Sequence, residues 1–189
     1  MAFLINYLYH HYYFIITLTI FLHISTTISW DPYNPPPTVK ALCDKNGNYK
    51  WCIDSLNNGG TMEADMHFLA VFARDLGEGN STWGIDYLNK TVIPNEEDPY
   101  VHEVMLTCMD AFSKVKDLLV NKLDNYIFFR KYQQAKPWGI YTLAVMNSCE
   151  VTCTAKPEIK CPLLLDIYRT KNTLQLMNNA IELITQGVF

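Results

Sequence analysis

The sequence lacks the short motifs through which catalysis usually becomes visible. It has no Gly-x-Ser-x-Gly turn to expose a nucleophile, no glycine-rich loop to cradle phosphate and no His-Glu-x-x-His pair to hold zinc. Histidine is scarce: past residue 29 only His67 and His102 remain, and each lies beside an apolar helical stripe where a boundary histidine is ordinary. Carboxylates are plentiful, but nothing in their spacing pairs them across a cleft. A basic face is missing as well. The net charge is −4 and the lysines and arginines are scattered, which excludes the phosphate-binding surface a nucleic-acid partner needs. No segment alternates with period two, so strands are not expected. No apolar run reaches the ~20 residues of a membrane span.

What is present points outward from the cell. Tyr12 to Ile24 is an uncharged apolar run followed by the small, hydroxylated stretch Ser25 to Ser29. This predicts a signal peptide over 1–29, cleaved after Ser29, with no stable membrane insertion afterwards. Removing 29 of 189 residues leaves 160, the size of one domain. All six cysteines (Cys43, Cys52, Cys108, Cys149, Cys153, Cys161) follow the leader. An even number in an oxidising compartment predicts three disulfides. Cys149, Cys153 and Cys161 offer three thiolates but no fourth ligand nearby, so no metal or other cofactor is expected. The sequons Asn80-Ser81-Thr82 and Asn89-Lys90-Thr91 make Asn80 and Asn89 candidate glycosylation sites.

Along the mature chain, residues 30–37 form a proline-rich arm, extended because proline fixes φ and removes amide donors. A helix is expected from Pro37-Thr38 to Lys45, a turn at Asn46-Gly47-Asn48, and a second short helix from Tyr49 to Leu56. This hairpin, within 38–60, places Cys43 and Cys52 on facing arms. Over 61–189 four longer patterns follow. Met62, Met66, Leu69, Phe72 and Leu76 mark one buried helix face, with a break expected near Gly77 and Gly79. Val101, Met105, Cys108, Phe112, Val115 and Leu119 mark the clearest helix, opening after Asp98-Pro99. A third pattern from Asp124 to Thr154 is uneven and looks interrupted at Lys136-Pro137-Trp138-Gly139. The fourth follows Cys161-Pro162 through Ile167, Leu174, Met177, Ile181 and Ile184, with Gly187 placed to cap it. No one stripe can bury itself, so the expected fold is all-α: an antiparallel four-helix bundle preceded by a short disulfide-linked helical hairpin.

Four features resemble the plant invertase and pectin methylesterase inhibitor family. They are Leu42-Cys43 with Tyr49-Lys50-Trp51-Cys52-Ile53-Asp54-Ser55-Leu56; Leu106-Thr107-Cys108-Met109-Asp110-Ala111-Phe112; Val151-Thr152-Cys153; and the terminal helix Asn172 to Ile184. The resemblance spans Val39 to Ile184. It implies a secreted, apoplastic protein that is not an enzyme but inhibits one, with pectin methylesterase or acid invertase as protein target. The alternative is a non-inhibitory secreted binding protein of the same fold. The resemblance also implies Cys43–Cys52 and Cys108–Cys153, leaving Cys149–Cys161 as an additional bond. An exchange of Cys149 and Cys153, one helical turn apart, stays open.

In characterised invertase inhibitors of that family, a Pro-Lys-Phe segment before the fourth cysteine enters the invertase active site. Here the matching place reads Lys136-Pro137-Trp138, the candidate target-contact loop. Trp138 stands where the family has lysine, and an indole carries one N–H donor and no charge. That substitution shifts the expectation from invertase towards pectin methylesterase.

Overall fold

The computed structural model describes residues 34–157 and 160–188. The apolar leader over 1–29 and residues 30–33 of the arm lie outside the described residues. Those described are mainly helical, without a strand among them. α1 (Pro37–Lys45) and α2 (Tyr49–Asn58) form the hairpin. Proline opens α1 at its first position, where its missing N–H costs no hydrogen bond. Asn48 caps α2 by accepting from the Trp51 amide at 3.1 Å. The Cys43–Cys52 disulfide joins the arms with Cα atoms 5.5 Å apart, and both cysteines are fully buried. Lys45 on α1 reaches Glu182 at 3.0 Å, which docks the hairpin at one end of the bundle.

The bundle consists of α3 (Met66–Tyr87), α4 (Pro99–Leu118), α6 (Tyr132–Thr154) and α7 (Leu164–Thr185). α3 packs on α4 and α7, and α6 packs on the same two, so α3 and α6 stand on a diagonal. Neighbours run antiparallel. Gly77 faces Leu119 while Gly84 faces Phe112, and Gly139 meets Asn178 while Glu150 pairs with Lys171. Asp65 and Asp98 cap α3 and α4 through their side chains, at 2.7 Å to the Phe68 amide and 2.8 Å to the Tyr100 amide. Both helices run on through a π turn, Leu88–Val92 after α3 and Leu119–Leu123 after α4; the latter leads directly into the short α5 (Asp124–Phe128). Leu69, Met105, Phe112, Leu119, Met146, Ile167, Leu174, Met177 and Ile181 fill the core with no exposure to solvent.

Three expectations are corrected here. The first concerns Gly77 and Gly79, where α3 does not break. Gly77 is buried, and a Cβ there would stand 3.2 Å from Leu119 and 3.5 Å from Leu174. Close helix approach outweighs the roughly 1 kcal/mol that glycine costs in a helix interior. The second concerns the third long pattern, which breaks at Arg130 and not at residues 136–139. Arg130 adopts the left-handed conformation, φ 56°, after α5. Its amide bonds the Ile127 carbonyl at 2.9 Å and the Lys131 amide bonds Tyr126 at 2.7 Å, the two bonds of a Schellman cap. Gly187 closes α7 with the same pair of bonds, from its own amide to Ile184 and from Val188 to Leu183.

The third correction is the disulfide pairing. The expected Cys108–Cys153 and Cys149–Cys161 bonds are replaced by Cys108–Cys149 and Cys153–Cys161. On antiparallel α4 and α6, Cys108 is level with Cys149, with Cα atoms 4.8 Å apart. Cys153 lies one turn further along α6, about 6 Å up the axis. There it sits against Val101, Val104 and Met105, and the loop returning to α7 brings Cys161 to 5.6 Å Cα–Cα.

Candidate docking surface

α6 is the least regular of the long helices in sequence and the most informative at the surface. Its buried positions are Ala135, Gly139, Thr142, Met146, Cys149 and Cys153, which are mostly small. Gly139 is a close-approach position, where the Asn178 side chain lies over the backbone and donates to the Gly139 carbonyl at 3.0 Å. A small inner face lets α6 sit tight against α4 and α7. Ile140, Tyr141 and Val151 are turned outward.

Those outward residues form a stripe. Pro137, Ile140, Tyr141, Ala144, Ser148 and Val151 are all exposed, at helical spacing over four turns. Ile140 is 58% exposed and Val151 68%. The side chain of half-buried Trp138 stands edge-on to Tyr141, with ring centroids 6.4 Å apart. Two lysines, one on α4 and one in the π turn after it, approach these rings. Lys114 Nζ lies 5.3 Å from the centre of Tyr141, and Lys122 Nζ 5.8 Å from that of Trp138. Both distances suit cation–π attraction. Lys136 is exposed at the start of the stripe. The one carboxylate on α6, Glu150, is ion-paired with Lys171 of α7. The face is thus apolar along its axis, with lysines at its rim, on a chain whose net charge is negative.

The structure corrects the expected target-contact loop. Lys136, Pro137 and Trp138 lie inside α6, not in a loop. Pro137 is the sixth residue of the helix, so the helical amide bond it cannot make falls within the exposed second turn, beside Gln133. Proline and glycine do not interrupt the helix here because Pro137 faces solvent and Gly139 faces a neighbouring helix.

The other singled-out residues fall elsewhere. Asn89 is exposed in the π turn after α3. Asn80 is half-buried in mid-α3 and donates to Thr173 Oγ1 of α7 at 3.0 Å. His67, in the first turn of α3, is 2.6 Å from the Tyr132 hydroxyl at the start of α6. Burial holds its pKa below the usual 6.5, and the charge of Arg130 adds to that. Among the described residues no group of three or more histidine, cysteine or acidic side chains is placed to hold a metal ion. Nor is any described helix long and apolar enough to cross a membrane.

No sequence model of a protein family matches the chain, and no curated protein matches it in sequence. A solved structure does. The crystal structure of mutant form A of a pectin methylesterase inhibitor from Arabidopsis superposes with a TM-score of 0.70 at 16% identity, covering 78% of this chain and 97% of that one. The hairpin and the four-helix bundle together have the fold of a pectin methylesterase inhibitor.

Proposed function

We propose that the mature chain is an extracellular inhibitor that caps the active-site cleft of a cell-wall carbohydrate-active enzyme, pectin methylesterase in preference to acid invertase. The observation that carries this reading is the outward apolar stripe of α6 with its lysine rim. An aromatic and aliphatic centre framed by cations suits a cleft whose working groups are carboxylates. Invertase is the less favoured target because Trp138 stands where characterised invertase inhibitors carry lysine. The likeness to a pectin methylesterase inhibitor structure supports the inhibitor class.

Stiffness fits the same role. Three disulfides tie the hairpin, α4 to α6, and α6 to the loop before α7. A surface already ordered loses less entropy on docking. The reading includes removal of residues 1–29 on export to the apoplast and a glycan at exposed Asn89. The chain itself performs no catalysis in this account.

Titration of the purified oxidised protein against both enzymes tests the proposal. Inhibition of pectin methylesterase at micromolar concentration, weakened by Ile140→Asp, is the expected result. Inhibition unaffected by Ile140→Asp and by Val151→Asp would move the contact away from α6. No inhibition of either enzyme would leave a non-inhibitory binding protein of this fold.

A further inference from the structure

A groove of about 240 Å³ opens between α3 and α7, lined by Asn80, Trp83, Asp166, Arg169 and Thr170. Because α3 is diagonal to α6, the groove is separate from the proposed docking stripe. Trp83 is 50% exposed, although it offers one of the largest apolar surfaces on the chain. Its indole is stacked on Tyr87 one turn later, with centroids 4.9 Å apart and planes 17° apart. The ring is braced on its own helix while half of its surface stays open.

Asp166 presents the opposite situation. Its side chain is only 10% exposed, and its ion-pair partner is Arg169 at 3.6 Å, beyond hydrogen-bonding reach. Burial raises its pKa above the ordinary 3.8, with Arg169 pulling the other way. Arg169 is the one charged partner of the Asp166 carboxylate among the described residues, and Asp166 lines the groove, so its oxygens keep acceptor capacity for a ligand. Thr170 spends its hydroxyl proton on the Asp166 carbonyl at 2.9 Å. Asn80 uses one amide hydrogen on Thr173, which leaves a second hydrogen and a carbonyl oxygen. The Arg169 side chain is 56% exposed, and its guanidinium carries five donors in a planar fork.

A braced aromatic face beside a carboxylate, a guanidinium and a carboxamide meets the requirements of one ligand class. A sugar ring has an apolar C–H face to lie on an indole and hydroxyls at its edge that donate and accept. We propose that this groove binds a pyranose ring, stacked on Trp83, with hydroxyls donating to Asp166 and contacting Arg169 and Asn80. Two sources could supply that ring. Asn80 heads its own sequon, so a glycan attached there would start on the groove wall; a free saccharide would enter from solvent.

Saturation-transfer NMR on the full oxidised protein, secreted from a glycosylating host, tests the site. The probes are N,N′-diacetylchitobiose and digalacturonic acid, and the readout is also taken for Thr82→Ala, which removes the sequon and keeps Asn80. A saturable response of Thr82→Ala with Kd on the order of 1 mM is expected for a single stacked ring. If wild type responds equally, the source is free saccharide; if wild type is silent, the attached glycan already fills the groove. Either outcome supports the site. In the Thr82→Ala background, Trp83→Ala should weaken binding at least about tenfold while Trp83→Phe retains most of it, because stacking needs an aromatic face. Unchanged helical circular dichroism would show that these variants fold. No saturable response from Thr82→Ala, or one that survives Trp83→Ala unchanged, would overturn the proposal.

Discussion

α4 and α6 lie side by side, joined by a disulfide, yet they divide their residues in opposite ways. In α4 the apolar stripe of Val101, Met105, Cys108, Phe112 and Val115 is buried. In α6 the buried stripe is small and partly polar, and Ile140, Tyr141 and Val151 face outward. One helix turns its large side chains into the core, and the other leaves several of them exposed to solvent. The lesson is that a blurred periodicity can mean two apolar faces rather than none, and that the outer one is where a partner is to be sought.

The sharpest test of that contrast is to truncate an apolar side chain on each helix, one buried and one exposed. Phe112→Ala should cost about 3–5 kcal/mol in denaturant unfolding, since Phe112 is fully buried at the α3–α4 contact. Val151→Ala on α6 should stay within about 0.5 kcal/mol of wild type. Comparable losses at both positions would end the distinction drawn here.

Next in size is the link between the two helices. On the chain-entropy model, removing Cys108–Cys149 by paired serine substitution should cost about 4 kcal/mol, against about 2.5 kcal/mol for Cys153–Cys161, because the closed loops differ in length. Peptide mass spectrometry without reduction should recover Cys108 bonded to Cys149. A Cys108–Cys153 peptide would reverse the correction.

A smaller loss, about 1–3 kcal/mol, is expected for Gly139→Ala, because a Cβ there runs into Asn178 on α7. Asn178→Ala should recover part of that loss, and failure to do so would show that the contact is not what demands glycine. Smaller still is Arg130→Gly, expected to raise stability by about 1 kcal/mol, since only glycine takes the left-handed cap without steric cost.

The smallest effect is pH-dependent. The pKa of His67 is lowered in the fold, so its neutral form is the one the native state favours. Its contribution is intact above the unfolded value of 6.5 and is lost progressively as pH falls from 6.5 through the lower folded value. His67→Gln should flatten that part of the stability profile, and an unchanged slope would remove His67 as its source.

The features legible in the sequence were those set by chemistry within a few residues. Pro37 and the pair Asp98-Pro99 marked helix starts and Gly187 a helix end, because proline's ring and a residue without Cβ act on their own backbone. The buried stripe of α4 and the cystine hairpin were equally plain. The groove around Trp83 was not, since Asn80 and Asp166 are distant in sequence and only the antiparallel pairing of α3 and α7 brings them together.

The sequence by itself determined an all-helical chain with an even set of cysteines and four stripes too apolar to stand alone. Tertiary structure decided which cysteines met, where the third pattern broke and which side of α6 faced outward. Those outcomes depend on the height and rotation of one helix against another. That relative placement arises from side chains far apart in the chain packing together, and no local pattern encodes it.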